Sequence, residues 1–243
     1  MRMLNFAKRN FKELIRDPLS LGFEIVLPIF LLVIFQQFNI PDEAYKLENF
    51  TPGIILFGFS FITLFTSTLI SKDRTSSFLI RLGTSPMKSS DYILGYIISL
   101  IPIIIIQDLL FFIVAIMLGL NFSISIVYTV IISIVISILF ISLGILIGSI
   151  ASERGTGGIG SIIVQLVCFT SGMYFPKETV GKGFAKICEM LPFESCLNII
   201  RGTLNNNLEI ISTRNIVVFL IYLVVILVLS IFVFKKKMVS DNK

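Results

Sequence analysis

The sequence predicts an all-α membrane protein: six transmembrane helices, an N-terminal amphipathic helix in the interface, and short re-entrant helices between spans 5 and 6. Three observations predict it. The 243 residues are 55% apolar and only 14% charged, against roughly 45–50% and about 25% in an ordinary globular domain. The charges gather in short blocks between long apolar runs, and a helix needs roughly 20 apolar residues to cross a bilayer. Basic residues are also unevenly shared. With the N-terminus inside, 14 Lys and Arg fall on the inner side and 6 on the outer side, the bias expected of cytoplasmic loops. Both termini are therefore predicted to be cytoplasmic. The net charge of +5 does not imply nucleic acid, because the basic residues flank apolar spans and form no single face.

Residues 3–16 place Met3, Leu4, Ala7, Phe11, Leu14 and Ile15 on one helical face, with Lys8, Arg9, Lys12 and Arg16 opposite and Phe6 off the pattern. Such a helix lies in the membrane interface. Span 1 is predicted over Leu19–Phe38, with Pro28 inside it and no small-residue cleavage site after it, so it reads as a retained anchor. A short acidic loop precedes span 2, Phe50–Ile70. Residues 71–95 are polar at both ends, with Phe78, Leu79 and Leu82 forming an apolar patch between them. Span 3 covers Tyr92–Leu118, span 4 Ile126–Ile150, span 5 Gly157–Tyr174 and span 6 Asn215–Phe234. Between spans 5 and 6 lies a stretch too broken by Pro176 and Pro192 to cross a bilayer, yet rich in Phe184, Ile187, Leu191, Phe193, Leu197 and Ile200. Broken backbone at membrane depth is tolerated only where protein or a water-filled cavity covers it. Residues 175–213 are accordingly predicted to dip back into the outer half of the membrane. The whole chain, 1–243, reads as one transmembrane domain.

Few motifs carry chemistry. There is no G-x-x-x-x-G-K-[ST] loop to cradle a nucleotide phosphate. Gly155–Gly160 matches G-x-G-x-x-G without the strand–turn–helix context a dinucleotide site needs; the small residues there suit close helix contact instead. With no His and no C-x-x-C, the three cysteines read as buried thiols and not as metal ligands, a Cys188–Cys196 disulfide being the alternative. No catalytic set is predicted, and no metal. Ionisable residues inside spans are costly and tend to face protein or water. Glu24, Gln36, Gln107 and Asp108 are on that ground candidates for a pathway. Asp108 lies roughly 24 Å from the start of span 3 at 1.5 Å per residue.

Ser171-Gly172, Pro176, Leu191-Pro192 and Arg201-Gly202 stand in an order that resembles the C-terminal signature of type-2 ABC exporter permeases. Val180-Gly181 stands where that family usually carries a second Leu-Pro. The polar stretch after span 2 is similar to the family's cytoplasmic coupling segment, here residues 71–91, through Asp73, Arg74, Leu79, Arg81, Leu82, Ser85 and Pro86, with Ser77 and Phe78 in place of the usual Gly-Thr. The resemblance implies an elbow helix over residues 1–17 and a dimer of permeases, homomeric or heteromeric. It also implies a separate cytoplasmic ATPase subunit that docks on Asp73, Arg74, Phe78, Leu79, Arg81, Leu82, Ser85 and Pro86. ATP and magnesium would be bound by that partner, and no cofactor by this chain. The implied function is export of a drug, peptide, lipid or similar substrate across a membrane, by analogy a bacterial inner membrane. The competing expectation is a self-contained secondary transporter or channel that uses Asp108 as an ion or proton site.

Overall fold

The computed structural model describes residues 2–38, 40–76, 89–174 and 180–240, apart from the side chains of Arg2, Ser89 and 238–240. It is helical, with no strand among the described residues. The helices are α1 (Arg2–Ile15), α2 (Pro18–Gln37), α3 (Leu47–Thr75), α4 (Ser89–Met117), α5 (Ser125–Ile150), α6 (Glu153–Thr170), α7 (Lys182–Met190), α8 (Pro192–Leu204) and α9 (Thr213–Ser240). Five of them, α2, α3, α4, α5 and α9, are long and apolar enough to cross a membrane. The predicted fifth span, α6, is not among these five. It is 18 residues long and spends its first turns on Glu153, Arg154 and three glycines.

The long helices run between two ends of the bundle. The end that holds α1, the C-terminus of α3 and the N-terminus of α4 is termed basal, and the other apical. Each boundary has a local cause. Asp17 caps α2 by accepting from the Ser20 amide at 3.2 Å and the Ser20 hydroxyl at 2.6 Å. The Ser20 hydroxyl holds the Asp17 carboxyl below the usual carboxylate range. Within α2, residues Gly22–Val26 widen into a π-helical turn. Pro28 follows, lacks an amide hydrogen and crowds the Glu24 carbonyl four residues back, and a widened turn relieves that conflict. Ser152 caps α6, so that only Ala151 and Ser152 separate it from α5. Leu191 is extended, ψ 151°, ahead of Pro192 at the first position of α8, as the residue before proline is driven to be.

Helix α3 is the axis. Phe50, Ile54, Ile55, Leu56, Phe59, Ile62 and Ile70 on it have no exposed surface. It packs most extensively on α5 and α6, and also touches α2, α4 and α8. The α3–α5 crossing is close because glycine permits it. A Cβ at Gly148 would stand 2.6 Å from the Ser67 carbonyl oxygen, and one at Gly144 would stand 2.7 Å from that of Thr63. The Thr63 hydroxyl donates across the same seam to the Phe140 carbonyl at 2.9 Å. Gly160 of α6 packs on Leu64, whereas Gly157 and Gly158 face open space. By contrast few residues of α2 and α9 are buried.

The basic helix α1 packs on α4. Phe6, the residue off its amphipathic pattern, is the one that anchors it. It is buried edge-on between Tyr92 and Tyr96, with centroids 5.5 and 5.0 Å away. The pattern's own Leu4 and Ile15 stay about half exposed. Phe234 of α9 reaches the same two tyrosines, so α9 ends at the basal side.

Candidate functional site

At the basal end three helices meet through charge. Arg9 of α1 donates to both carboxylate oxygens of Asp73 in the last turn of α3, at 2.8 and 2.9 Å. The Tyr96 hydroxyl of α4 donates to the same carboxylate at 2.7 Å. Glu13 extends the network, binding Arg9 at 2.6 Å and Lys72 at 3.3 Å. Asp73 is 1% exposed. A carboxylate taken so far out of water needs several donors, and this one has a guanidinium and a phenol. The next residue, Arg74, reaches the opposite way. It donates to the Gly148 carbonyl at 3.0 Å and the Ala151 carbonyl at 3.4 Å, covering acceptors that the C-terminus of α5 leaves open. Thr75 donates to Glu153 of α6 at 3.0 Å. Asp73 and Arg74, predicted to face a partner, thus turn into the bundle and link α1, α3, α4 and α5, with Thr75 adding α6. Phe78, Leu79, Arg81, Leu82, Ser85 and Pro86 lie outside the described residues.

At the apical end the predicted signature converges on one side chain. Arg201 of α8 donates from Nε to the Asn49 carbonyl at 2.9 Å and from Nη2 to the Gly172 carbonyl at 3.2 Å. Asn205 adds a bond to the Asn49 side chain at 3.3 Å. The start of α3, the end of α6 and α8 are so tied together. Gly172 has φ +77°, a conformation glycine adopts without steric cost. Gly202 lets Ile211 and the Asn207 carbonyl close against α8, and a Cβ would stand 2.9 Å from that oxygen. Leu191 and Pro192 make the break between α7 and α8. Ser171 is buried and its hydroxyl finds no partner among the described residues. Pro176 lies outside the described residues. A hollow of about 340 Å³ beside Arg201 is lined by Asp42, Glu43, Ser171, Glu194 and Asn198. All three cysteines are buried thiols.

Between the two ends lie the other predicted pathway residues. Gln107 and Asp108 have no exposed surface, so they do not line an open channel in this conformation. Asp108 is hydrogen-bonded to Ser133 of α5, whose hydroxyl oxygen also lies 2.8 Å from the Val130 carbonyl. The Gln107 amide packs against Gly58 of α3. Glu24 is 2% exposed, in the widened turn of α2. Gln36 donates to the Tyr45 carbonyl at 2.7 Å, beside an apical cluster of Phe35, Tyr45, Phe50 and Tyr174 with centroids 5.3 to 6.4 Å apart. Sequence reasoning missed Arg9, Tyr96 and Ser133. Arg9 reads as one of a row of interfacial cations, and Tyr96 and Ser133 as ordinary span residues.

A geometry of helices tied at both ends agrees with what family comparison finds. The family model described as ABC-2 type transporter matches residues 3–205, from α1 through α8. No curated protein matches the chain. The family is one of membrane permease components of ABC transporters. The chain belongs to the ABC-2 type transporter family and is an integral membrane protein of that kind.

Proposed function

We propose that the chain is the membrane subunit of an ATP-driven exporter, carrying a drug, peptide, lipid or similar substrate outward from the cytoplasm or the inner leaflet. The observation that carries this reading is the basal junction of Arg9, Asp73 and Tyr96. Asp73 and Tyr96 flank residues 77–88 on either side in the sequence. A force applied to that segment therefore reaches α1, α3 and α4 together, and through Arg74 reaches α5. The source of the force is a separate cytoplasmic ABC ATPase that binds ATP and magnesium and docks on Phe78, Leu79, Arg81, Leu82, Ser85 and Pro86. Asp73 and Arg74 act as positioning residues behind that surface. ATP can drive the change only by binding one conformation of the assembly more tightly than the other.

The rest of the architecture fits this assignment. α6 starts at Glu153, beside the basal Thr75, and ends two residues before Gly172, which meets the apical Arg201. It thus joins the basal end to the apical end, which supports a sixth span. Six spans put both described ends at the basal side, where basic residues concentrate, and that side is the cytoplasm of a bacterial inner membrane. Phe193, Cys196, Leu197 and Ile200 of α8 are buried, with α3, α5 and α9 packed around them. Such cover lets α8 sit at membrane depth as a re-entrant helix, with α7 leading into it. Exposed Gly157, Gly158, Ile162 and Phe169 on α6 suit contact with a second permease protomer. The burial of Asp108 and its bond to Ser133 favour a link between α4 and α5 over an ion-carrying site.

The test is purification of the tagged chain from native membranes in mild detergent. Co-elution of a subunit with a Walker A loop is expected, and elution without any ATPase would defeat the assignment.

A further inference from the structure

We infer that the basal cleft between α1 and α3, together with the groove on the outer face of α2, holds one anionic phospholipid. The two hollows adjoin along the chain. The first, of about 650 Å³, is lined by Lys8, Arg9, Lys12, Arg16 and Lys72, with Glu13 and Asp17 as its only acids. The second, of about 330 Å³, begins one residue later at Pro18 and is lined by Leu19, Gly22, Phe23, Val26 and Phe30.

The charge of the first hollow is not balanced from within. Glu13 is engaged by Arg9 and Lys72, and Asp17 by Ser20. Lys8, Lys12 and Arg16 are exposed and have no acidic partner among the described residues. A phosphate group fits that excess. Cations at a membrane surface favour anionic headgroups by about fivefold in affinity per charge.

The second hollow fits an acyl chain. Leu19, Phe23, Val26 and Phe30 are 54 to 75% exposed, and Gly22 leaves a slot, since nothing lies within 4 Å of where its Cβ would be. From Phe23 to Phe30, seven residues further along α2, the helix climbs roughly 10 Å at 1.5 Å per residue, which suits a lipid tail leaving its headgroup at the basal surface. A second protomer on this face would leave the adjoining cations uncompensated. A soluble phosphate would leave the apolar groove empty. One lipid satisfies both hollows.

The chain has no tryptophan, so Phe23→Trp places a lone, selectively excitable tryptophan in the groove and keeps an aromatic ring against Phe61. The full-length variant is reconstituted in phosphatidylcholine vesicles. Equal small mole fractions of phosphatidylglycerol or phosphatidylcholine with brominated acyl chains are then added. The expected result is tenfold or greater preference for the anionic quencher, falling by about fivefold for each of Lys12→Gln and Arg16→Gln. Gly22→Leu, whose Cβ meets nothing within 4 Å, puts a side chain into the slot and is expected to reduce quenching by the anionic lipid. Equal quenching by both lipids would overturn the inference. So would weak quenching by either, the mark of a second protomer on the groove, and so would loss of the preference on adding inorganic phosphate at constant ionic strength.

Discussion

Arg9 and Asp73 are 64 residues apart in sequence, and one Arg9 nitrogen stands 2.8 and 2.9 Å from the two Asp73 oxygens. The pair binds the interfacial helix to the axial helix at the point where residues 77–88 depart. Because Asp73 is buried while Arg9 is about one third exposed, the two ends of the pair are not equivalent. Loss of Arg9 strands a buried carboxylate; loss of Asp73 leaves a cation that can turn to water.

Arg9→Met is therefore expected to destabilise more than Asp73→Asn. Breaking a buried pair from the side that leaves the charge behind costs about 3 kcal/mol. Asp73→Asn, which keeps an acceptor for Tyr96, is expected to cost about 1 kcal/mol. Thermal unfolding in detergent measures both. Equal losses would mean that the junction is ordinary surface electrostatics.

The apical tie makes a second prediction. Arg201→Gln is expected to cost about 1–3 kcal/mol, because the Asn49 and Gly172 carbonyls both lose a donor. Arg201→Lys is expected to recover less than half of that, since an ammonium cannot present two donors in a planar fork. The same melting assay decides, and full rescue by lysine would rule out the two-carbonyl bridge.

Much of this was legible in the sequence and some was not, for physical reasons. Apolar runs located the long helices to within a turn or so at most ends, because burial in lipid is written into composition. α3 still runs three residues before and five beyond Phe50–Ile70, at Leu47 and Thr75, since a helix outlasts its apolar stretch wherever polar side chains such as Asp73 find partners. The break at Pro192 was legible because proline dictates the residue before it. The partners of Asp73 were not, because a hydrogen bond between distant residues leaves no periodic trace. Phe6 looked like an error in an amphipathic pattern because a helical wheel knows only lipid and water, while α1 also faces α4. That Glu24 and Asp108 turn from lipid follows from the cost of a charge there, but the Ser133 partner of Asp108 depends on tertiary packing.

Close helix approach is tested at glycine. Gly148→Ala is expected to force α5 away from the Ser67 carbonyl and to cost about 1–3 kcal/mol. Gly158→Ala, which meets nothing within 4 Å, is expected to leave the stability of the isolated chain unchanged or slightly raised, as alanine favours a helix by about 1 kcal/mol. Matching losses at the two positions would contradict the α3–α5 crossing.

Asp108→Asn keeps a side-chain oxygen and adds donors opposite Ser133, so transport in reconstituted vesicles is expected to stay within about threefold of the parent at a cost near 1 kcal/mol. A carrier built on ion or proton exchange at Asp108 would instead lose transport altogether.

The most direct measurement is vanadate-sensitive ATPase activity co-eluting with the tagged chain, compared between the parent and Leu82→Asp at equal permease recovery. The account predicts clear activity with the parent and little with the variant. An ATPase-free parent, or undiminished activity with Leu82→Asp, would contradict a separate motor docked on residues 71–91.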